Sequence, residues 1–454
     1  MMPQAPVPVS MPLLGQAGSA PADGLTPEQA LQLAGQHQAA NRLPEAEHLL
    51  RQILKLNPQN AHALHLLGVV TYQAGQPILA LDLIRQAIAN EPNVALFESN
   101  LAEMCRQQGR VDEAIEHGLQ SVALDPVMAS AHSNLGIALF DAKRYDEAEA
   151  SHQRALGLMP NLLQSLNNLG SIERARGNKN EALVWYRKVL ELNPDFLESL
   201  TNIGAVLVEE ERAEEAVHPL LKVLQVFPES PEALCNLGLS YYKQDDLDKG
   251  EALLRRSLHN RPGYPEALVG LARVLQDREH LEESILLLKE ATERDPSKTD
   301  AWCQLGSIYT EQAVADQAEA AYQHALDIDA KCADALTGLA NLKLEAGKIK
   351  DAVTDLRAAL EIDPDNLGAR FHLAQAEKVK KGDANLAVLE AKAASSENLS
   401  SEKRISLHYA LGKAYDDIKD YEKAFPQFIE GARLKRSKLN YSADADDERT
   451  QRIV

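Results

Sequence analysis

The sequence predicts an all-α protein, a right-handed superhelical solenoid of about twelve helix-turn-helix repeats stacked in series. Three observations carry that expectation. Pro58, Pro92, Pro126, Pro160, Pro194, Pro228, Pro262, Pro296 and Pro364 fall on one grid of 34 residues, with Ala330 filling the only gap. Nine residues after each mark comes Leu or Ile followed by Gly or Ala, from Leu67-Gly68 and Leu101-Ala102 through Ile203-Gly204 to Leu373-Ala374. A fixed period of this size marks a repeat array, which grows by adding units and needs no single central core. The composition, 45% hydrophobic and 25% charged, is that of an ordinary water-exposed chain. A length of 454 residues therefore does not imply about three globular domains.

Taken in order, residues 1–24 are rich in Pro, Ala and Gly and carry one charge, Asp23. They read as a disordered leader, because a signal peptide needs a basic start and an unbroken apolar centre. With Pro58 as repeat position 32, ten regular units cover residues 27–366, the first at Pro27 and the last beginning at residue 333. Each unit reads as two amphipathic helices, A and B, joined by a turn near position 15, where Gly75, Gly109, Gly177 and Gly347 stand. The small residue at position 8 lets helix A approach its partner closely. Ala at position 20 (Ala46, Ala80, Ala114, Ala148, Ala182, Ala216, Ala318, Ala352) does the same for helix B. Larger residues fill position 24: Ile84, Tyr186, Leu220, Leu254, Leu288, Tyr322 and Leu356. The closing proline stops helix B and sets the turn into the next unit.

Departures are local. Pro219 falls inside helix B of the sixth unit and is expected to bend it. Gly250 and Ser284 replace Ala at position 20. Residues 367–404 form a degenerate repeat or hinge, because Ala374 and Gly412 are 38 residues apart, four more than the period. A regular unit returns at 405–438, and residues 439–454 form an acidic polar tail.

The recurring Leu-Gly, Ala, large apolar residue and Pro resemble the tetratricopeptide repeat, over roughly residues 27–438. That resemblance implies stacked helix pairs whose A helices line a concave face. In the last unit, His408–Phe425 running on to Gly431–Arg436 is similar to the final repeat of bacterial tetratricopeptide-repeat sulfotransferases. There a catalytic domain with a G-x-P-R-S-G-T loop follows the repeats. No such loop is present in the 454 residues, so the resemblance carries over no catalytic residue.

Candidate functional residues lie on the A helices. Position 6 reads Asn100, Asn134, Asn168, Asn202 and Asn236 in five consecutive units, then Gly270 and Gln304. An amide offers both donors and an acceptor. With A helices about 8–10 Å apart and an extended chain advancing about 3.3 Å per residue, one Asn could serve about every third residue of a bound peptide. A similar asparagine ladder lines the repeat superhelix of O-GlcNAc transferase, where it binds peptide backbone. The competing reading is that these amides cap local polar groups in the stack.

Position 2 carries Glu198, Glu232, Glu266, Asp300 and Asp334. These form either an acidic stripe for a basic peptide or first-turn carboxylates that complement the helix dipole. Position 5 has no lysine, which disfavours the clamp for acidic C-termini found in some of these proteins.

The net charge of −20 argues against nucleic acid as a partner, since neutralising phosphates needs clustered Lys and Arg. No apolar run approaches membrane-spanning length. Cys105, Cys235, Cys303 and Cys332 lie far apart with no C-x-x-C spacing, which favours reduced thiols and a cytoplasmic setting. His62 and His65 have metal-compatible spacing but no evident third ligand, so the expectation is no metal and no cofactor. No phosphate loop, nucleophile elbow or H-E-x-x-H motif assigns a catalytic residue. The expected function is a protein-interaction scaffold that binds an extended peptide or protein segment in the concave groove. The alternative is the substrate-recruiting part of a tetratricopeptide-repeat sulfotransferase.

Overall fold

The 34-residue grid maps onto the helices with little slippage. The computed structural model describes residues 25–394, 399 and 401–438. Among them are 24 α-helices in twelve antiparallel pairs. In the ten regular units helix A starts at position 1, from Pro27–Ala39 to Ala333–Glu345, and helix B runs from position 17 to position 30. The architecture is an all-α solenoid. The expected leader, residues 1–24, and the expected tail, 439–454, lie outside the described residues.

The chain divides into two compact units, residues 1–199 and 200–454. In each, a helix A packs on its own helix B and then on the next pair.

The turn between A and B is built on one left-handed residue at position 15. Gly75, Gly109, Gly177 and Gly347 adopt positive φ there, as do Asn41, Lys143, Glu211, Asp245, Glu279 and Ala313. The glycine signal is thus only part of a wider rule. The backbone needs this conformation in every regular unit, and tertiary packing imposes it even on residues with a Cβ.

Helix B ends two residues before the grid proline. The residue just before Pro is extended, as at Asn57 (φ −137°, ψ 92°), because proline disfavours a helical residue ahead of it. Asp329 takes the same conformation (φ −134°, ψ 100°) although Ala330 follows it. The turn therefore does not depend on the ring.

Close approach of A to B follows the position 8 and position 24 pairing. A Cβ on Gly68 would lie 2.6 Å from Ile84, and one on Gly204 2.5 Å from Leu220. The position 20 alanines are fully buried beside them. Ser284 keeps this position by donating its buried hydroxyl to the Ala272 carbonyl at 2.7 Å. In the fourth unit the large residue is His152, which has no solvent exposure and faces Gly136.

Helix B of the sixth unit, Ala213–Val226, continues through Pro219. The eleventh pair is short, Leu367–Ala376 and Ala384–Ala393, with an irregular stretch between. That stretch is anchored: Val379 is buried, and its backbone N–H donates to Asp417 of the last pair at 3.1 Å.

Candidate functional site

The position 6 amides sit on helix A, and those of Asn100 and Asn134 reach the preceding repeat. In the first compact unit, Asn100 Nδ2 lies 2.8 Å from His65 Nε2, and Asn134 Nδ2 donates to Ser99 Oγ at 3.0 Å. Both acceptors occupy position 5 of the previous unit. Two more position 5 groups are used the same way: Ser133 accepts from Ser165 at 3.1 Å, and Asn167 Oδ1 from Ser199 at 2.8 Å. His65, Ser99, Ser133 and Asn167 are all buried. A polar seam therefore runs between successive A helices, with one buried acceptor per repeat satisfied by its neighbour.

All three amides of this unit, Asn100, Asn134 and Asn168, are half-buried. Asn100 and Asn134 each use one N–H in the seam. Asn168 Nδ2 is buried without a hydrogen-bond partner. In the second compact unit Asn202 and Asn236 are also half-buried.

The amide run ends for a steric reason. At Gly270 a Cβ would meet Leu239 at 2.8 Å, and at Gly338 it would meet the Tyr322 ring at 2.2 Å. Neighbours that large leave no room for an amide at position 6. Gln304 fits, accepting from Arg273 at 3.2 Å and donating to Gln276 at 3.3 Å.

The position 2 carboxylates already hold partners. Glu232 pairs with Arg261 at 3.0 Å, Glu266 with Lys298 at 2.9 Å and Asp300 with Arg273 at 3.7 Å. Asp334 accepts from Asn366 at 3.0 Å, and Glu198 also has an interaction partner. All five stand in the first turn of their helices. Their geometry suits helix-end complementation and ties between neighbours.

His65 is buried and stacked on Phe97, ring centroids 4.6 Å apart. Burial, then the nearby His62, lowers its pKa to about 3. His62 instead meets Phe97 edge-on and lies 3.5 Å from Glu91. No group of three or more metal-ligating side chains occurs among the described residues.

Some relationships left no mark in the sequence. Lys403 of the last unit lies 2.9 Å from Glu211 of the sixth, which also pairs with Lys243 at 2.7 Å. Within the same compact unit, a cavity of about 750 Å³ is lined by Asp277, Glu311, Phe371, Tyr409, Lys413 and Phe428, among others. Cys303 and Cys332 bring their sulfurs to 3.5 Å.

Models of the tetratricopeptide repeat match almost the whole repeat region. One matches residues 31–95, 72–128, 201–265 and 337–398. Others match 127–195, 241–305, and 299–332 with 405–438. The chain belongs to the tetratricopeptide-repeat family, a fold that commonly mediates protein–protein interaction. Among solved structures it is similar to that from the functional characterization of Pseudomonas aeruginosa pilF. The match is 22% identical, covers 46% of this chain and 94% of that one, and has a TM-score of 0.40. A crystal structure of MamA protein is 19% identical, with 36% and 90% covered and a TM-score of 0.32. No curated protein matches the chain. Residues 405–438, which include the stretch similar to the sulfotransferase repeat, match a tetratricopeptide-repeat model, and the comparisons give no support to a sulfotransferase kinship. No helix among the described residues is long and apolar enough to cross a membrane.

Proposed function

We propose that this chain is a protein-interaction module that holds an extended peptide against the A helices, with Asn100, Asn134 and Asn168 contacting its backbone. Asn202 and Asn236 would extend the same chemistry in the second compact unit. The observation that carries this reading is the seam contact at position 6. Hydrogen bonds from Asn100 to His65 and from Asn134 to Ser99 fix each amide in one rotamer. Each still has a second N–H and its oxygen. An amide held in place loses little entropy when a peptide group pairs with it, which is the physical content of pre-organisation. Of the acidic position 2 residues, Glu232, Glu266 and Asp300 are paired with cations of the chain and Asp334 accepts from Asn366, so this reading assigns the ligand contact to the amides.

The same geometry would arise if the amides served only to join helices, so the test separates the two roles. Peptides selected from a random library on the intact chain are titrated by fluorescence anisotropy against wild type, Ser99→Ala and Asn100→Ala/Asn134→Ala/Asn168→Ala. Ligand contact requires at least a tenfold loss of affinity in the triple variant, with Ser99→Ala changing affinity far less. Equal affinity in all three proteins, with matched losses of thermal stability, would reduce the amides to structural ties.

A further inference from the structure

The four cysteines fall into two chemical classes. Cys105 and Cys235 are buried, and burial pushes both thiols up, away from the reactive thiolate form. Cys303 and Cys332 are only half-buried, and their sulfurs are 3.5 Å apart although 29 residues separate them in sequence. Cys303 lies on helix A of the ninth unit, Thr299–Glu311; Cys332 is the N-cap of helix A of the tenth, Ala333–Glu345. A thiol at the amino end of a helix faces the positive end of the dipole, which favours its thiolate. The hydrogen bond between the two sulfurs pulls Cys332 down and pushes Cys303 up, so one member is the nucleophile and the other retains its proton.

We propose that Cys303 and Cys332 form an oxidative modification site, a dithiol that low-molecular-weight disulfides convert to an intramolecular disulfide. The Cys332 thiolate attacks one sulfur of the small disulfide, an S–S bond forms to the protein, and the other half leaves as a thiolate. The Cys303 sulfur, losing its proton to that leaving thiolate or to water, then attacks Cys332 Sγ and expels the second half. The protein loses two protons and two electrons, and one small disulfide takes them up to become two thiols. Closing the bond takes the sulfurs from 3.5 Å to about 2.05 Å. The product links the first helix of the ninth unit to the start of the tenth, adding a covalent tie between two stacked pairs.

The test uses the intact chain, reduced, then exposed to oxidised glutathione, quenched with iodoacetamide and mapped by non-reducing peptide mass spectrometry. A Cys303–Cys332 cross-linked peptide is expected, with Cys105 and Cys235 recovered as alkylated thiols until the chain is denatured. In Cys303→Ser the resolving thiol is absent, so a stable glutathione adduct on Cys332 is expected at the rate at which wild type loses its first thiol. If wild type gives only glutathione adducts, or if all four cysteines react at similar rates, the assignment fails. The wild-type map alone decides this even if the variant does not fold.

Discussion

The imidazole of His152 lies against Gly136, so close that a Cβ on the glycine would come within 2.7 Å of Nε2. The same approach recurs wherever position 8 is glycine and position 24 is bulky, as at Gly170 with Tyr186 and Gly306 with Tyr322. Gly170→Ala is therefore expected to destabilise the fold by about 1–3 kcal/mol, the usual cost of overpacking a full core. Urea unfolding followed by circular dichroism measures it. An unchanged midpoint would mean that the Tyr186 ring yields without cost.

His152 also makes the chain acid-sensitive. Burial lowers its pKa to about 4, and His65 is lowered to about 3, whereas both titrate near 6.5 when unfolded. Between pH 6.5 and 4 the unfolded chain binds protons that the folded chain refuses. Stability then falls as the pH falls through that window and is level above it. His152→Leu places at position 24 the residue found there in Leu220 and Leu254. Its melting temperature should decline less between pH 6.5 and 4.5 than that of wild type, and parallel pH profiles would remove His152 as the cause.

The left-handed residue at position 15 allows a gain in stability. Ala313 sits at φ 57° and Gly347, in the equivalent place, at φ 75°. A Cβ in this region costs roughly 1–2 kcal/mol, partly offset by the greater freedom of glycine when unfolded. Ala313→Gly should raise stability by up to about 1 kcal/mol and Gly347→Ala should lower it by a similar amount. Paired urea titrations give both signs, and two shifts in the same direction would contradict the strain argument.

Glu211 accepts from Lys243 and Lys403. Burial works to raise its carboxyl, but the two lysines outweigh that and hold it below the usual range. Lys403 is about half exposed, so Lys403→Ala should cost no more than about 1 kcal/mol. Glu211→Ala strands the more deeply placed Lys243 ammonium and should cost more, about 1–3 kcal/mol. Because the Glu211 pKa is depressed, the contribution is present above the ordinary carboxylate range and fades as the pH drops through it. Denaturant midpoints at pH 7 rank the two variants, and the reverse order would show that Lys243 does not need its partner.

Much of the fold was legible because the signals were periodic. Pro58 and its eight successors located nine of the twelve helix B termini, and Leu67-Gly68 and its equivalents located the A–B contact. Periodicity also hid what deviates from it. His152 stands at a position where all seven of the large residues named above are aliphatic or tyrosine, so only burial exposes it as a titrating core group. The position 5 acceptors His65, Ser99, Ser133 and Asn167 are of three residue types, and their common role becomes visible only when the neighbouring helix is in place. The position 6 amides were conspicuous, yet their first partners are helices of the same chain. Cys303 with Cys332 and Glu211 with Lys403 are long-range neighbours, which single-sequence spacing cannot encode.

The seam between A helices has a genetic corollary. Every acceptor in it is met by a donor at position 6 or position 3 of the next repeat, so the register is conserved by translation through 34 residues. Excising residues 95–128 would present Asn134 to His65, a donor still facing an acceptor, whereas excising half that length would set helix against turn. Arrays joined in this way can lengthen or shorten by whole units through recombination and remain foldable, while partial gains or losses are eliminated at the first misaligned joint.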